Sequence, residues 1–84
     1  MSMITGAQVR IARYALRLSV SELSIACGVS ISTVKRIEAQ DGVPASTGPN
    51  INAIKSSLEA AGIEFIGTPD DGPGIRIRTS KNVD

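Results

Sequence analysis

The chain contains no histidine and a single cysteine, Cys27. The ligand sets of most zinc sites and the Ser-His or Cys-His couples of nucleophilic catalysis therefore have no members to draw on. No Gly-rich phosphate loop joins a strand to a helix and no metal-ligand cluster is visible, so an enzyme is the least expected class and no metal or cofactor is expected. What remains is the chemistry of fixed charge. Nine Lys and Arg oppose eight Asp and Glu, for a net charge of +1, but the charges are sorted along the chain. Residues 1–40 carry Arg10, Arg13, Arg17, Lys35 and Arg36 against Glu22 and Glu38, a net of +3. Residues 41–73 carry Lys55 against Asp41, Glu59, Glu64, Asp70 and Asp71, a net of −4, and the last eleven residues return +2. A basic first half is what a phosphate-binding face requires.

Positioning these charges falls to short elements. Thr5 to Leu16 is free of proline, and Val9, Ala12 and Leu16 recur at helical spacing, which predicts a first helix capped by Thr5. Ser19-Val20-Ser21-Glu22 fits a capping box, in which the Ser19 hydroxyl and the Glu22 carboxylate satisfy each other's backbone N–H groups. A second helix then runs to Cys27, and Gly28 can end it in the left-handed region. Ser30 caps a third helix from Ile31 to about Gln40, stopped by Asp41-Gly42-Val43-Pro44. Asn50 is expected to cap a fourth helix with Ile51, Ile54, Leu58 and Ala61 on one face, ended by Gly62. Ile63-Glu64-Phe65 and Ile75-Arg76-Ile77-Arg78 alternate as strands do, with the turn-rich segment 67–74 between them as a loop, and 79–84 is expected to be a frayed tail.

The segment Val20 to Ala39 has the dimensions of a helix-turn-helix: two short helices, a tight turn at Gly28-Val29-Ser30, apolar residues at Leu23, Cys27, Val29, Val34 and Ile37, and the small Ser24 where the helices cross. Here the sequence resembles the phage-repressor family of regulators, the Cro and lambda-repressor-like, xenobiotic-response-element type of helix-turn-helix proteins. The residues that carry the likeness are Ser19 to Ser24, Cys27 to Ser30, Ser32 to Glu38, and the later Ile54 and Leu58. The likeness spans roughly Ile4 to Gly62. It implies a mainly α fold, a bundle of four to five helices with a helix-turn-helix, to which the sequence adds a short C-terminal strand pair or hairpin. Residues 1–62 would be the DNA-binding domain, 63–78 a strand pair in the same unit, and 79–84 the tail.

Carried over residue by residue, the resemblance puts Ile31, Ser32, Lys35 and Arg36 on the exposed face of the recognition helix, with Ser30 and Ala39 at its margins. Lys and Arg donate to guanine O6 and N7, a serine hydroxyl meets either partner of a base pair, and isoleucine presses on a thymine methyl. Ser19, Ser21 and Thr33, with the amides at the starts of helices two and three, would hold phosphates, joined by Arg10 and Arg17. The resemblance also pairs Arg13 of helix one with Glu38 at the end of helix three. Val20 stands where family members commonly carry a phosphate-bridging glutamine, which removes one backbone contact. Cys27 is expected to be a small buried hydrophobe. Arg76 and Arg78 would form the basic face of an edge strand, guarding it against aggregation or touching DNA or an acidic partner.

The expected function is that of a regulator of transcription, a repressor or autoregulator binding a near-palindromic double-stranded DNA operator as a homodimer, with recognition helices about 34 Å apart. A domain this short buries only about 60% of its unfolded surface, so an oligomeric partner would add stability. The competing expectation, motivated by Val20, the low net charge and the apolar Ile31, is a protein-interaction module such as an anti-activator or antitoxin, with a protein partner in place of DNA. With no run near 18 apolar residues and no signal-peptide pattern, a cytoplasmic setting without membrane contact is expected.

Overall fold

Each of the first three helices begins on a hydroxyl. The computed structural model describes residues 3–45 and 48–78. In it α1 (Gly6–Ala15), α2 (Val20–Cys27) and α3 (Ile31–Glu38) follow Thr5, Ser19 and Ser30, whose side-chain oxygens accept from the backbone N–H groups of Gln8, Glu22 and Thr33. Such caps satisfy amides that have no partner inside the helix. At Thr5 and Ser19 the box is reciprocal, Gln8 and Glu22 accepting from the cap's own N–H at 2.8 Å. A fourth helix, α4 (Gly48–Ala60), precedes an antiparallel hairpin of β1 (Ile63–Thr68) and β2 (Asp71–Ile77). The molecule is mostly helical.

Helix ends divide into the expected and the unexpected. Gly28 ends α2 at φ 73°, and its N–H donates to the Ser24 carbonyl at 2.8 Å. The end of α1 uses the same left-handed geometry without a glycine. Arg17 sits at φ 59°, its N–H donates to Tyr14 and that of Leu18 to Arg13, both at 3.0 Å. This double hydrogen bond closes the last turn, at a cost of about 1–2 kcal/mol for putting a side chain in that region. α4 begins two residues before the expected cap: Asn50 lies inside the helix, behind Gly48 and Pro49. Proline suits the first turn, where its fixed φ is already helical and its missing N–H would have had no partner. α4 also stops at Ala60, so Ala61 lies in the following turn and is exposed.

One core joins the four helices and β1: Ile4, Val9, Ala12, Leu23, Val29, Val34, Ile37, Ile54, Leu58 and Ile63 are buried in a single cluster, and the half-buried Ile75 of β2 packs against it. Truncating any of the large members to alanine should cost about 2–5 kcal/mol. Cys27 departs from expectation. It is only half-buried, packed against the edge of the core as the last residue of α2; its Sγ lies 3.9 Å from the Ser24 carbonyl oxygen. Inside the turn the small Ser24 donates its hydroxyl to the Val29 carbonyl at 2.6 Å.

The hairpin is longer than alternation alone suggests. Ile63 pairs with Ile77, Glu64 with Arg76, Phe65 with Ile75 and Ile66 with Gly74, and after a register shift Thr68 pairs with Asp71. The expected loop thereby shrinks to Pro69-Asp70. Gly67 (φ 75°) and Gly72 (φ 61°) absorb the irregularity, and a Cβ on Gly67 would strike the Gly72 carbonyl oxygen. Glycine-rich segments read as loops by composition, yet they are also what a bulged strand needs. Gln8 completes the junction. Buried at the start of α1, it donates Nε2 to the carbonyls of Ile66 (3.1 Å) and Gly74 (2.8 Å), while its Oε1 accepts from Thr5. One side chain thus satisfies the cap and both strands. The expected tail, 79–84, lies outside the described residues.

Candidate nucleic-acid interface

α3 has two faces of opposite character. Inward it buries Thr33, Val34, Ile37 and Glu38. Outward it exposes Ile31, Ser32, Lys35, Arg36 and Ala39. The 100° step per residue dictates this division, since 33, 34, 37 and 38 recur on one side of a 3.6-residue period.

The inner face is fixed to α1 by charge and close approach. Arg13 Nε and Nη2 donate to Glu38 Oε2 and Oε1, each at 2.8 Å, in a bidentate pair whose side chains are 10% and 7% exposed. The third arm of Arg13, Nη1, reaches the Leu18 carbonyl at 2.9 Å, and the Tyr14 ring lies 4.7 Å from the guanidinium carbon. The hydrogen bond to Glu38 raises the Arg13 pKa further above its usual value, burial opposes this, and the Glu38 charge adds to the rise. Beside it Arg10 donates to the backbone carbonyl of Glu38 and, at 2.8 Å, to Asp41. A cation at the end of a helix complements its carbonyl dipoles. Gly6 packs against the same end, its N–H donating to Gly42 O at 2.9 Å. A Cβ there would overlap the carbonyl oxygens of both Ile37 and Gln40.

Among the expected site residues, Ser30, Ile31, Ser32, Lys35 and Arg36 are thus gathered on one open surface at the start and outer side of α3. Ser30 Oγ caps Thr33 N (3.3 Å), donates to Thr33 Oγ1 (2.9 Å) and lies 3.3 Å from Ser32 Oγ. Lys35 makes no side-chain hydrogen bond among the described residues, whereas Arg36 Nη2 donates to Thr33 Oγ1 at 3.3 Å. Ser19 and Ser21 are exposed at the start of α2, and Arg17 is exposed just ahead of them. Thr33 and Arg10 are not gathered there. Thr33 is buried with its hydroxyl between Ser30 and Arg36, and Arg10 is engaged with the end of α3. Both are better described as holding α3 than as facing outward.

Three residues that join elements or answer charge between them escape a reading by periodicity. Gly6 is set by an approach between distant backbones. Gln8 did leave a signal, since Thr5-x-x-Gln8 is a capping box, but nothing local points to the carbonyls it also meets. Glu64 is the third: its Oε1 accepts from Arg76 Nη1 (3.1 Å) and Arg78 Nε (2.8 Å), so the basic face of the second strand is answered from its neighbour. Neither a protein-family model nor a curated protein matches the sequence. Among the described residues no helix is long and apolar enough to cross a membrane.

Proposed function

We propose that the chain is a sequence-specific DNA-binding regulator of transcription, a cytoplasmic protein of the phage-repressor-like helix-turn-helix type. In this reading it binds a near-palindromic operator as a homodimer and represses or autoregulates without catalysing a reaction. The observation that carries the reading is the division of α3. Its inner face is anchored by a buried bidentate ion pair, while its outer face offers Ser32, Lys35 and Arg36 beside an exposed Ile31. A rigidly held helix with unspent donors is what major-groove readout requires, because base edges are discriminated only by groups held in register. Ser19, Ser21 and the amides beginning α2 would position phosphates, with Arg17 alongside.

The test is selection of bound duplexes from a random library, followed by affinity measurements across salt concentrations. A single recurring motif, with affinity falling steeply as salt rises, is expected. Recovery of no motif would overturn the reading. One observation favours the second reading, a protein-interaction module: Ile25 on α2 is 81% exposed, a large apolar side chain left in water. On that reading no specific DNA shift occurs and Ile25→Asp abolishes capture of a protein partner.

A further inference from the structure

We infer, taking α3 as the groove-facing helix of the proposed regulator, that its two adjacent cations divide the work: Lys35, with Ile31, reads base edges, and Arg36 holds the phosphate backbone. At 100° per residue Ser32 and Ala39 lie opposite the buried face, and Lys35 and Arg36 fall about 50° to either side of them. The centre of the outer surface is therefore floored by small side chains, which lets the helix approach closely, and the long cations stand on opposite flanks.

The flanks differ. On the Arg36 side lies Thr33, three residues back and buried, and its hydroxyl holds the guanidinium at 3.3 Å. That hydroxyl is in turn fixed by Ser30 at 2.9 Å. Arg36 is thereby drawn toward the start of α3 and toward the body of the protein, away from the centre of the outer surface, while the residue as a whole stays exposed. On the Lys35 side lies Ile31, four residues back, 42% exposed. Lys35 has no hydrogen-bonding partner among the described residues to draw it aside. An ammonium beside an apolar side chain suits a guanine beside a thymine methyl. Four residues of helix advance about 6 Å along its axis, close to two base steps at about 3.4 Å each. The preferred half-site therefore contains a guanine and a thymine roughly two steps apart, and Arg36 contributes no base preference.

The experiment takes the motif that the wild-type protein selects from a random duplex library. Lys35→Ala, Arg36→Ala and Ile31→Ala, each checked for native circular dichroism, are then titrated against that site and all its single-base variants at several salt concentrations. Lys35→Ala should erase a preference of about 5- to 150-fold for guanine at one position. Arg36→Ala should weaken every sequence alike and lower the salt slope by about one. Replacing the thymine by deoxyuridine should weaken wild type and leave Ile31→Ala unaffected. Loss of a base preference in Arg36→Ala, or uniform weakening in Lys35→Ala, would overturn the division while leaving DNA binding intact. If the wild-type protein selects no motif, the reading of α3 as a groove helix falls with it.

Discussion

Glu38 and Glu64 both accept guanidinium hydrogen bonds at 2.8 Å, but from opposite situations. Glu38 sits in the seam between α1 and α3, spends each oxygen on a separate N–H of one arginine, and is almost closed to water. Glu64 lies on the outside of the hairpin, 36% exposed, and offers a single oxygen to two arginines that are themselves more than half exposed. Equal distances do not mean equal energies. In the seam the side chains are only 10% and 7% exposed, so solvent is a poor substitute for a lost partner, whereas on the hairpin water and salt compete for every contact. The seam therefore fixes where α3 stands, and the hairpin cluster tunes the surface of an element already held by Ile63, Phe65 and Gln8.

The sharpest way to break this contrast is Glu38→Ala. It leaves the Arg13 guanidinium buried without its counter-charge, and removal of one member of a buried pair costs about 3–5 kcal/mol. In a domain this small that is a large part of the total stability. A fall of that size in urea-melt stability is expected, with DNA affinity lost alongside because α3 loses its orientation. Replacing both partners together, Arg13→Met with Glu38→Leu, should recover much of the stability, since the cost lies in the orphaned charge. If Glu38→Ala melts as wild type does, the seam is not the anchor described above.

Gln8→Ala comes next in size. It strips a buried donor from the carbonyls of Ile66 and Gly74 and an acceptor from the Thr5 N–H. Leaving such groups unsatisfied costs about 1–3 kcal/mol. Because Gln8 ties the hairpin to α1, hydrogen exchange in β1 and β2 should accelerate more than in α2 and α3. Uniform acceleration in all elements would show instead that the hairpin and helices open as one unit.

The same contrast marks what the sequence makes legible. The caps at Thr5, Ser19 and Ser30, the left-handed Gly28 and the inward Leu23, Val34 and Ile37 rest on spacings of a few residues, so local rules reach them. The start of α4 lies at Gly48, ahead of the expected cap Asn50, because proline serves a first helical turn as readily as it ends a loop. The hairpin's length was hidden because Gly67, Gly72, Pro73 and Gly74 have turn composition and belong to a bulged strand. Gln8 and Gly74 are 66 residues apart, and no periodicity carries information over that distance. On α3, helical spacing separates the outer residues from the inner ones. It does not reveal that the Thr33 hydroxyl is shared between Ser30 and Arg36, since those contacts depend on side chains meeting in three dimensions.

The smallest expected effect tests the other side of the comparison and is read best against pH. Partial burial by itself raises the Glu64 pKa, but the hydrogen bond from Arg78 and the charges of Arg76 and Arg78 outweigh it and leave the group below its ordinary value of 4.5. A carboxylate depressed in the folded state contributes stability that is present above its unfolded pKa and is lost as pH falls through the folded one. The contribution of Glu64 should accordingly be complete at neutral pH and disappear in acid below the usual carboxylate range. Comparing Glu64→Gln with wild type by thermal melts from pH 7 down into acid should show a slight deficit at neutral pH that narrows as the pH falls, and that shrinks further in about 1 M salt, where the screening length is about 3 Å. A deficit as large as that of Glu38→Ala, or one insensitive to both pH and salt, would mean that the hairpin cluster is shielded from solvent in the protein's working state, as it would be inside an interface between two subunits.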